Sequence, residues 1–383
     1  MPGDRTTRAI WAYHPRPVPQ RLTLLGALLA CGLVMLAGCS SDSRSSGAAQ
    51  NFARPTRGGP ENTRAALSAP CDRYASPKGS GQGTGRRARP FGSLERLVRS
   101  LGPGQVGCLM PGRYRQRGVV RLERARTTIR SVGRPRATID GALWLLPGAR
   151  GARIAGLRLT SHDPEFAIPL KIQADEVELV GNDITASRSI SCLLVGSSRP
   201  VSGLLIEDNR IHHCGRTGKK DHLIYMAHSR NAVIRRNLLV ENPGGWAVHL
   251  YPNADGTLVE GNVIDSNHGG VIFAGSGGGE TSDGNLVRAN VITNSSPRWN
   301  LESSWSGGPT GRGNGASRNC LFSTGPGAPS GLGPDRGFHK SGNAVARGPV
   351  YVDRQAGDYR LRRRSNCAAL VGSAGGSAAR LGR

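Results

Sequence analysis

The sequence is poor in aromatic residues and contains no long amphipathic helical pattern. Phe, Trp and Tyr together make up 5% of the 383 residues, and hydrophobic residues of all kinds only 37%. This lean content argues against a helical bundle, which needs broad apolar faces on long helices. The 55 glycines and 24 prolines indicate many turns between short strands, so an all-β solenoid is the favoured class.

Lysine is also scarce, although the chain is strongly basic. The formal net charge of +25 comes from 51 Lys and Arg against 26 Asp and Glu, and only five of these are lysines: Lys78, Lys171, Lys219, Lys220 and Lys340. One interpretation is a polyanionic partner, namely an acidic polysaccharide, an anionic cell-wall polymer or phospholipid headgroups. The other is a GC-rich genome, which favours Arg over Lys. Nucleic acid is not expected, because the basic residues are scattered and the chain has export features.

Two kinds of catalytic motif are missing. The chain has no CxxC motif or His-rich cluster that would indicate zinc, and no recognisable pair of carboxylates for glycoside hydrolysis. We therefore predict no metal site and no certain cofactor. If the protein is a polysaccharide lyase, calcium is the ion that could take part.

The N-terminus has the features of an export signal. Several arginines precede the apolar run LTLLGALLACGLVMLAG, which is short for a spanning helix. The run ends at Leu36-Ala37-Gly38-Cys39, which resembles the lipobox of bacterial lipoproteins; an ordinary cleaved signal with a chance cysteine is the alternative. The resemblance implies a signal peptide over 1–38, lipid on Cys39, a disordered tether over 39–70 and an extracytoplasmic, membrane-anchored protein.

Six cysteines remain after Cys31 leaves with the signal and Cys39 is lipidated. An even number in an exported chain indicates disulfides, and six cysteines allow fifteen pairings. Position along the chain favours one of them, which joins the following neighbours: Cys71 with Cys108, Cys192 with Cys214, and Cys320 with Cys367.

One short phrase recurs along the middle of the chain. It has the pattern aliphatic-x-x-Asn-x-aliphatic, and the steps between its central residues are 27, 28, 25 and 28: Asn182, Asn209, Asn237, Asn262 and Asn290. Leu157 extends the series backwards by 25. A near-fixed period of this length predicts a solenoid whose coils stack about 4.8 Å apart, with the asparagines bonded in a column.

Stacking also predicts pairs of opposite charge. The outward position after the first aliphatic residue alternates in sign from coil to coil: Glu207, Arg235, Glu260, Arg288. We expect these to be exposed structural pairs, each contributing under about 1 kcal/mol.

Several segments resemble a right-handed parallel β-helix of the pectate-lyase-like superfamily. RPFGSLERLVRSLGPGQVGCLMPGRYR is similar to an N-terminal entry with a short capping helix, ATIDG to a first coil, and PVYVDRQAGDYRLRRRSNCAALVG to a closing segment. More narrowly, LYP-x-A-x-GT, GN-V-I and RWN-x-E-S are similar to phrases in bacterial β-helix repeat-containing proteins. The resemblance implies a β-helix over 71–371, divided as follows: cap 71–115, coils 116–305, loop 306–345, closing segment 346–371, then a flexible tail 372–383.

The second strand of successive repeats predicts a histidine beside two tyrosines. HLIYM and AVHLY align when Ile224 and Val248 both face inward. Tyr225 and His249 then point outward as neighbours in successive coils, and Tyr251 lies two residues further along.

Three interpretations of this cluster stay open: a catalytic site, a glycan-binding groove, and a plain surface on which the rings only cover the sheet. A polysaccharide lyase would use His249 as base, Tyr225 or Tyr251 as acid and Lys220 near the substrate carboxylate. A glycan-binding groove would use the same rings without catalysis, and further substrate contacts are predicted at Asp221, His222, Trp299 and Trp305. We therefore expect a monomeric binder of acidic polysaccharide that is either a lyase acting by β-elimination or a non-enzymatic envelope protein.

Other polar groups carry weaker predictions. By parity, one of His212 and His213 lies inward or at a turn, which is typical of a hydrogen-bonded histidine rather than a ligand. Five residues carry groups that calcium could use but lack its ligand-rich spacing: His162, Asp163, Glu165, Glu280 and Asp283.

Overall fold

The chain folds as a right-handed parallel β-helix built from three main stacks of strands. The computed structural model describes residues 60–161, 168–186, 189–215, 221–303 and 308–371. Several predictions lie outside this range: the signal peptide, Cys39, the tether as far as residue 59, Lys220, Trp305 and the tail. The predicted fold class is confirmed.

Stack A is an eleven-stranded sheet in which each strand pairs with its equivalent in the next coil. Its middle strands are three residues long, because each coil turns soon after its aliphatic pair. The strands are Arg73–Ser80, Val106–Leu109, Thr128–Ser131, Arg153–Ala155, Glu178–Val180, Leu205–Glu207, Val233–Arg235, Leu258–Glu260, Leu286–Arg288, Asn314–Ser317 and Phe338–Ser341.

Stacks B and C diverge from one long strand, Thr138–Leu145, which also pairs with Arg113–Leu122. Stack B continues through Arg158–Thr160, Asp183–Ala186, Arg210–Cys214, Leu238–Val240, Val263–Asp265, Val291–Thr293, Cys320–Phe322 and Ala344–Val345. Stack C continues through Leu170–Ile172, Ser191–Val195, His222–Met226, Trp246–Leu250, Gly269–Phe273 and Leu301–Ser303. A short fourth stack joins Val201–Ser202, Ser229–Arg230 and Ala254–Asp255.

The interior is a continuous apolar core made of equivalent side chains. In stack B, Ile184, Ile211 and Leu239 lie in register, and all three are completely buried. Because one coil cannot cover its own apolar face, this core exists only when coils stack.

An asparagine column runs beside this core, between stacks A and B. The Asn237 Oδ1 accepts from the backbone N and the Nδ2 of Asn209, at 2.9 and 3.0 Å. The Asn237 Nδ2 donates to the Ile206 carbonyl at 2.8 Å and to the Asn262 Oδ1 at 3.0 Å. Each amide thus satisfies buried backbone groups of the preceding coil as well as its neighbours in the column.

The first coil is capped as predicted by a short helix, α2 (Leu94–Ser100). Its buried face consists of Leu94, Leu97 and Val98, and the Ser93 hydroxyl accepts from the Arg96 backbone N at 3.2 Å. A Ser N-cap followed by apolar residues three and four apart produces such a helix.

Three disulfides join the cysteines in the favoured pairing. They are Cys71–Cys108, Cys192–Cys214 and Cys320–Cys367. The last one fastens the antiparallel hairpin of Tyr351–Asp353 and Asp358–Leu361 to the body. This closing segment covers the outer face of stack B, where Tyr351 and Tyr359 pack in one cluster with Leu238, Val263 and Val291.

The structure contradicts the expectation that a disordered tether extends to residue 70. Helix α1 (Pro60–Ser68) packs on the outer face of stack A, where Ala66 contacts Ala155 and Val180. Its C-terminal end is also fixed, since Arg130 donates to the carbonyls of Leu67 and Ala69 at 2.9 and 2.8 Å. Residues 60–70 are therefore attached to the β-helix by buried apolar contacts and by these hydrogen bonds.

The long loop expected over 306–345 is also wrong, because the solenoid continues through it. Asn314–Ser317 and Phe338–Ser341 extend stack A, and Cys320–Phe322 extends stack B. The asparagine column reaches Asn319 and Asn343, with amide contacts of 2.9 Å. Inward residues such as Ala316, Leu321 and Phe338 are buried in the core, so this Gly-rich sequence still forms coils.

The alternating charges pair, but they are not exposed as predicted. Arg235 hydrogen-bonds Glu207, and the Arg288 Nε lies 2.7 Å from the Glu260 Oε1. Glu207 is completely buried, and Arg236 adds a second contact at 2.8 Å. Within the described residues, the helices are too short or too polar to cross a membrane.

The column should carry much of the stability of the middle coils. Replacing Asn237 by Ala leaves buried donors and acceptors of two neighbouring coils without partners, so we expect about 3 kcal/mol lower free energy of unfolding. Asn343→Ala is the matched control, since Asn343 is half-buried at the end of the column, and should cost about 1 kcal/mol. Denaturant unfolding of the purified variants measures both, and equal losses would contradict the cooperative column.

Candidate functional site

The outer face of stack C carries one column of side chains from end to end. Strand register places the following residues one above the other: Trp144, Lys171, Leu194, Tyr225, His249, Ile272 and Glu302. The predicted pairing of Tyr225 with His249 in successive coils is confirmed. We call this set the C column.

The rings of the predicted cluster pack together. The Tyr225 and Tyr251 rings both stack on His249 with centroids 5.2 Å apart, and they lie 6.4 Å from each other. Alternation along the strand brings Tyr251 to the same face as His249, and the inter-coil spacing brings Tyr225 beneath it. Tyr225 and Tyr251 are half-buried, whereas His249 is only 3% exposed.

His222 completes a buried histidine pair. Its Nε2 lies 2.9 Å from the His249 Nδ1, and its Nδ1 lies 3.3 Å from the Trp246 backbone N. That N–H donates, so the His222 Nδ1 accepts and its Nε2 carries the proton. The His249 Nδ1 must then accept from His222, which leaves the proton of His249 on Nε2.

The His249 Nε2 is a buried donor with no hydrogen-bond partner among the described residues. Buried polar groups in folded proteins are normally paired, so an unpaired donor needs an explanation. A ligand oxygen arriving at this position would satisfy it.

The ionisable groups of the cluster are held neutral. Burial lowers the pKa of His249 to about 3. Burial, followed by the nearby His249 and His268, lowers the pKa of His222 well below its ordinary value. The pKa of Tyr225 is raised by burial and by Tyr251, and that of Tyr251 by burial and by Glu280. Neutral imidazole and phenol groups therefore face the site at physiological pH.

Glu302, the last residue of the C column in chain order, carries a second polar group. The Trp246 Nε1 donates to the Glu302 Oε1 at 2.6 Å, and Arg298 also hydrogen-bonds the Glu302 carboxylate. Burial dominates and raises the pKa of Glu302, against the opposing hydrogen bonds from Arg298 and Trp246. The guanidinium of Arg298 lies 4.4 Å from the centroid of the Trp299 ring.

Two predicted substrate contacts have largely structural surroundings. Trp299 is half-buried against the last coils, and a Cβ at Gly333 would come within 2.5 Å of its ring. Asp221 is 6% exposed at the strand entry, and its backbone carbonyl accepts from the Asn242 Nδ2 at 2.8 Å. Their contact with a ligand stays a prediction, as do the roles of Lys220 and Trp305.

Sequence reasoning missed the lower half of the C column. The Lys171 Nζ lies 4.9 Å from the centroid of the Trp144 ring, and burial lowers the pKa of Lys171. The Trp144 Nε1 is a further buried donor without a partner among the described residues. Leu194, Lys171 and Trp144 occupy the same outward strand position as Tyr225 in the preceding coils. The alternation of inward and outward residues could therefore have identified Lys171 and Trp144 from the sequence.

Comparison with known proteins supports the fold alone. A family model described as "Right handed beta helix region" matches residues 167–292. The pectate lyase Pel9A is 12% identical to this chain, with a TM-score of 0.49. The match covers 79% of this chain and 92% of the lyase chain. An endo-xylogalacturonan hydrolase from Aspergillus tubingensis is 11% identical with a TM-score of 0.47, covering 71% and 92%. A surface adhesin of Streptococcus pneumoniae is 12% identical with a TM-score of 0.40, covering 66% and 84%. No curated protein sequence matches the chain.

The buried His249 should make the protein sensitive to acid. The pKa is about 3 in the fold against 6.5 ordinarily, so below 6.5 the unfolded chain binds a proton that the native chain does not. The free energy of unfolding therefore decreases as the pH falls below about 6.5, and at about pH 5 the loss due to His249 amounts to about 2 kcal/mol. We expect His249→Gln to reduce the fall in unfolding free energy between about pH 7 and about pH 5 by that amount.

Urea denaturation at the two pH values measures the effect. His339→Gln is the matched control, because His339 is exposed on stack A. An identical pH dependence in His249→Gln and the parent protein would contradict a neutral buried imidazole.

Proposed function

We propose that this protein is an extracytoplasmic, lipid-anchored β-helix that binds acidic polysaccharide along the C column. The observation that carries the proposal is the buried Nε2–H of His249, which has no partner in the described part of the chain and lies beside the ring of Tyr251. A sugar ring stacked on the exposed part of Tyr251 would bring a hydroxyl or ring oxygen towards that donor. Apolar faces with a few fixed polar groups are typical of ligand sites.

Charge supports an acidic rather than a neutral glycan. Lys171 lies three coils before His249 in the C column. At the ordinary strand spacing, the distance between these two positions is about 14 Å. The ammonium group of Lys171, held over Trp144, is placed to pair with a carboxylate further along the same polymer. The overall basic charge would also attract a polyanion.

The anchoring part of the proposal rests on the lipobox resemblance and on the disulfides. Three disulfides suit an oxidising, extracytoplasmic compartment. Cys39 would carry the lipid, and the residues that follow it would hold the solenoid away from the membrane.

Catalysis by β-elimination is the second candidate, because histidine and tyrosine side chains meet at one point. The assigned tautomer makes His249 a proton donor at Nε2, so His249 suits the leaving oxygen better than the C5 proton. A non-enzymatic binder needs no base. We therefore favour binding without catalysis and leave elimination to the experiment below.

Removing the Tyr251 ring should weaken binding. We expect Tyr251→Ala to lower the affinity for polygalacturonate at least tenfold, a loss of about 1.4 kcal/mol, because the sugar loses its stacking surface. Tyr74→Ala is the matched control, since Tyr74 is a half-buried tyrosine on stack A. Isothermal titration of the mature protein measures both, and equal affinities in the two variants would place the glycan elsewhere.

A second assay decides whether the protein is a lyase. Ultraviolet absorbance of the unsaturated product is followed with a panel of polyuronates, with and without calcium. We expect no product from any polymer that the protein binds. Product formed by the parent protein and lost in His249→Gln would overturn the non-enzymatic assignment and leave the binding site in place.

A further inference from the structure

The outer face of stack B carries a cluster of side chains unrelated to the C column. His212, His213 and Glu241 each offer one ligand atom, and these three atoms all lie within 4.8 Å of one another. His212 is 7% exposed, whereas the side chains of His213 and Glu241 are 54% and 42% exposed. The cluster is thus anchored on one side and open to solvent on the other.

Backbone conformation brings the two histidines to the same face. Consecutive residues of a strand normally point to opposite faces, but His213 has a φ of +50°. Glu241 occupies the equivalent position of the next coil, with a φ of +60°, and its carbonyl accepts from the His213 backbone N at 3.2 Å. The left-handed turn, repeated one layer up, directs His213 and Glu241 towards each other.

An acidic residue fixes the tautomer of His212. The His212 Nε2 lies 2.8 Å from the Asp183 Oδ1, so it donates its proton to that carboxylate. The His212 Nδ1 is therefore a lone-pair acceptor directed at the cluster. A carboxylate behind a histidine, with the other ring nitrogen free to coordinate, is the usual arrangement behind a metal ligand.

Lone pairs outnumber protons at the centre of the cluster. The His213 Nδ1 lies 2.7 Å from the His212 Nδ1 and 3.3 Å from the Glu241 Oε2. A single N–H on His213 thus serves two acceptors at once. A cation at this point would satisfy all three ligand atoms.

We propose that His212, His213 and Glu241 form a binding site for a divalent transition-metal ion of the zinc class. Imidazole nitrogen and carboxylate oxygen are ligands that zinc accepts, and three protein ligands leave a position for water. Around a tetrahedral zinc the ligand atoms would be about 3.4 Å apart. The two histidine nitrogens lie 2.7 Å apart, and the His213 Nδ1 lies 3.3 Å from the Glu241 Oε2. The exposed side chains of His213 and Glu241 can adjust to the zinc spacing, while Arg210 is a nearby cation that opposes binding. The ion would join two successive coils.

The test is a titration of the chelator-treated mature protein with Zn²⁺ alone, using an affinity tag that lacks histidine. We expect saturable binding of one ion per chain. His213→Asn keeps the left-handed backbone, which asparagine tolerates, and should weaken binding at least tenfold. Glu241→Gln should act similarly, and Asp183→Asn, which removes the carboxylate behind His212, should weaken binding about tenfold or more.

Controls separate the site from general histidine binding and from misfolding. His339→Asn changes an exposed histidine of stack A and should leave the affinity unchanged. The melting temperatures of the zinc-free variants verify that each one folds. Calcium, which prefers oxygen ligands, should not compete. Absence of saturable binding to the parent protein, or binding retained by both His213→Asn and Glu241→Gln, would overturn the proposal.

Discussion

Buried asparagines bonded from coil to coil are the constraint on which the rest of this molecule depends. Each Oδ1 accepts two N–H groups from the preceding coil, and each Nδ2 reaches a backbone carbonyl of that coil. These bonds satisfy polar backbone at the tight turn between stacks A and B, where no strand ladder can do so. They also hold every coil in one register, because a shift of one residue would leave buried amides without partners.

Fixed register converts sequence repeats into columns of neighbours, and both candidate sites are products of such columns. Tyr225 and His249 meet because they occupy the same outward position in successive coils. His213 and Glu241 meet because they occupy the same left-handed turn position. The two sites differ in solvation. Burial keeps His249 neutral, with an Nε2 donor that has no partner among the described residues, whereas the side chains of His213 and Glu241 in the stack B cluster are exposed to solvent.

The segments at the two ends of the described chain cover different faces of the solenoid. Helix α1 lies on the early coils of stack A, and the closing segment lies on the late coils of stack B, secured by Cys320–Cys367. The C column runs along the third face. In the proposed function, a polymer lies along this face and crosses several coils, so its affinity is distributed among layers.

The sequence alone determined the period, the inward and outward parity and the meeting of Tyr225 with His249, because all of these follow from stacking equivalent positions. The order of the cysteines along the chain also favoured the disulfide pairing that the structure has. Sequence reasoning also missed features whose cause is not periodic. The repeat pattern does not predict the coils through Asn319 and Asn343, because Ala316 and Lys340 stand where earlier repeats have a larger aliphatic residue. Only the tertiary structure decided that Glu207 is buried with Arg236 against it, that His222 donates to His249, and that a left-handed turn directs His213 towards Glu241. These outcomes depend on packing between distant segments and on backbone angles at single residues, and neither is encoded in a local pattern of residue types.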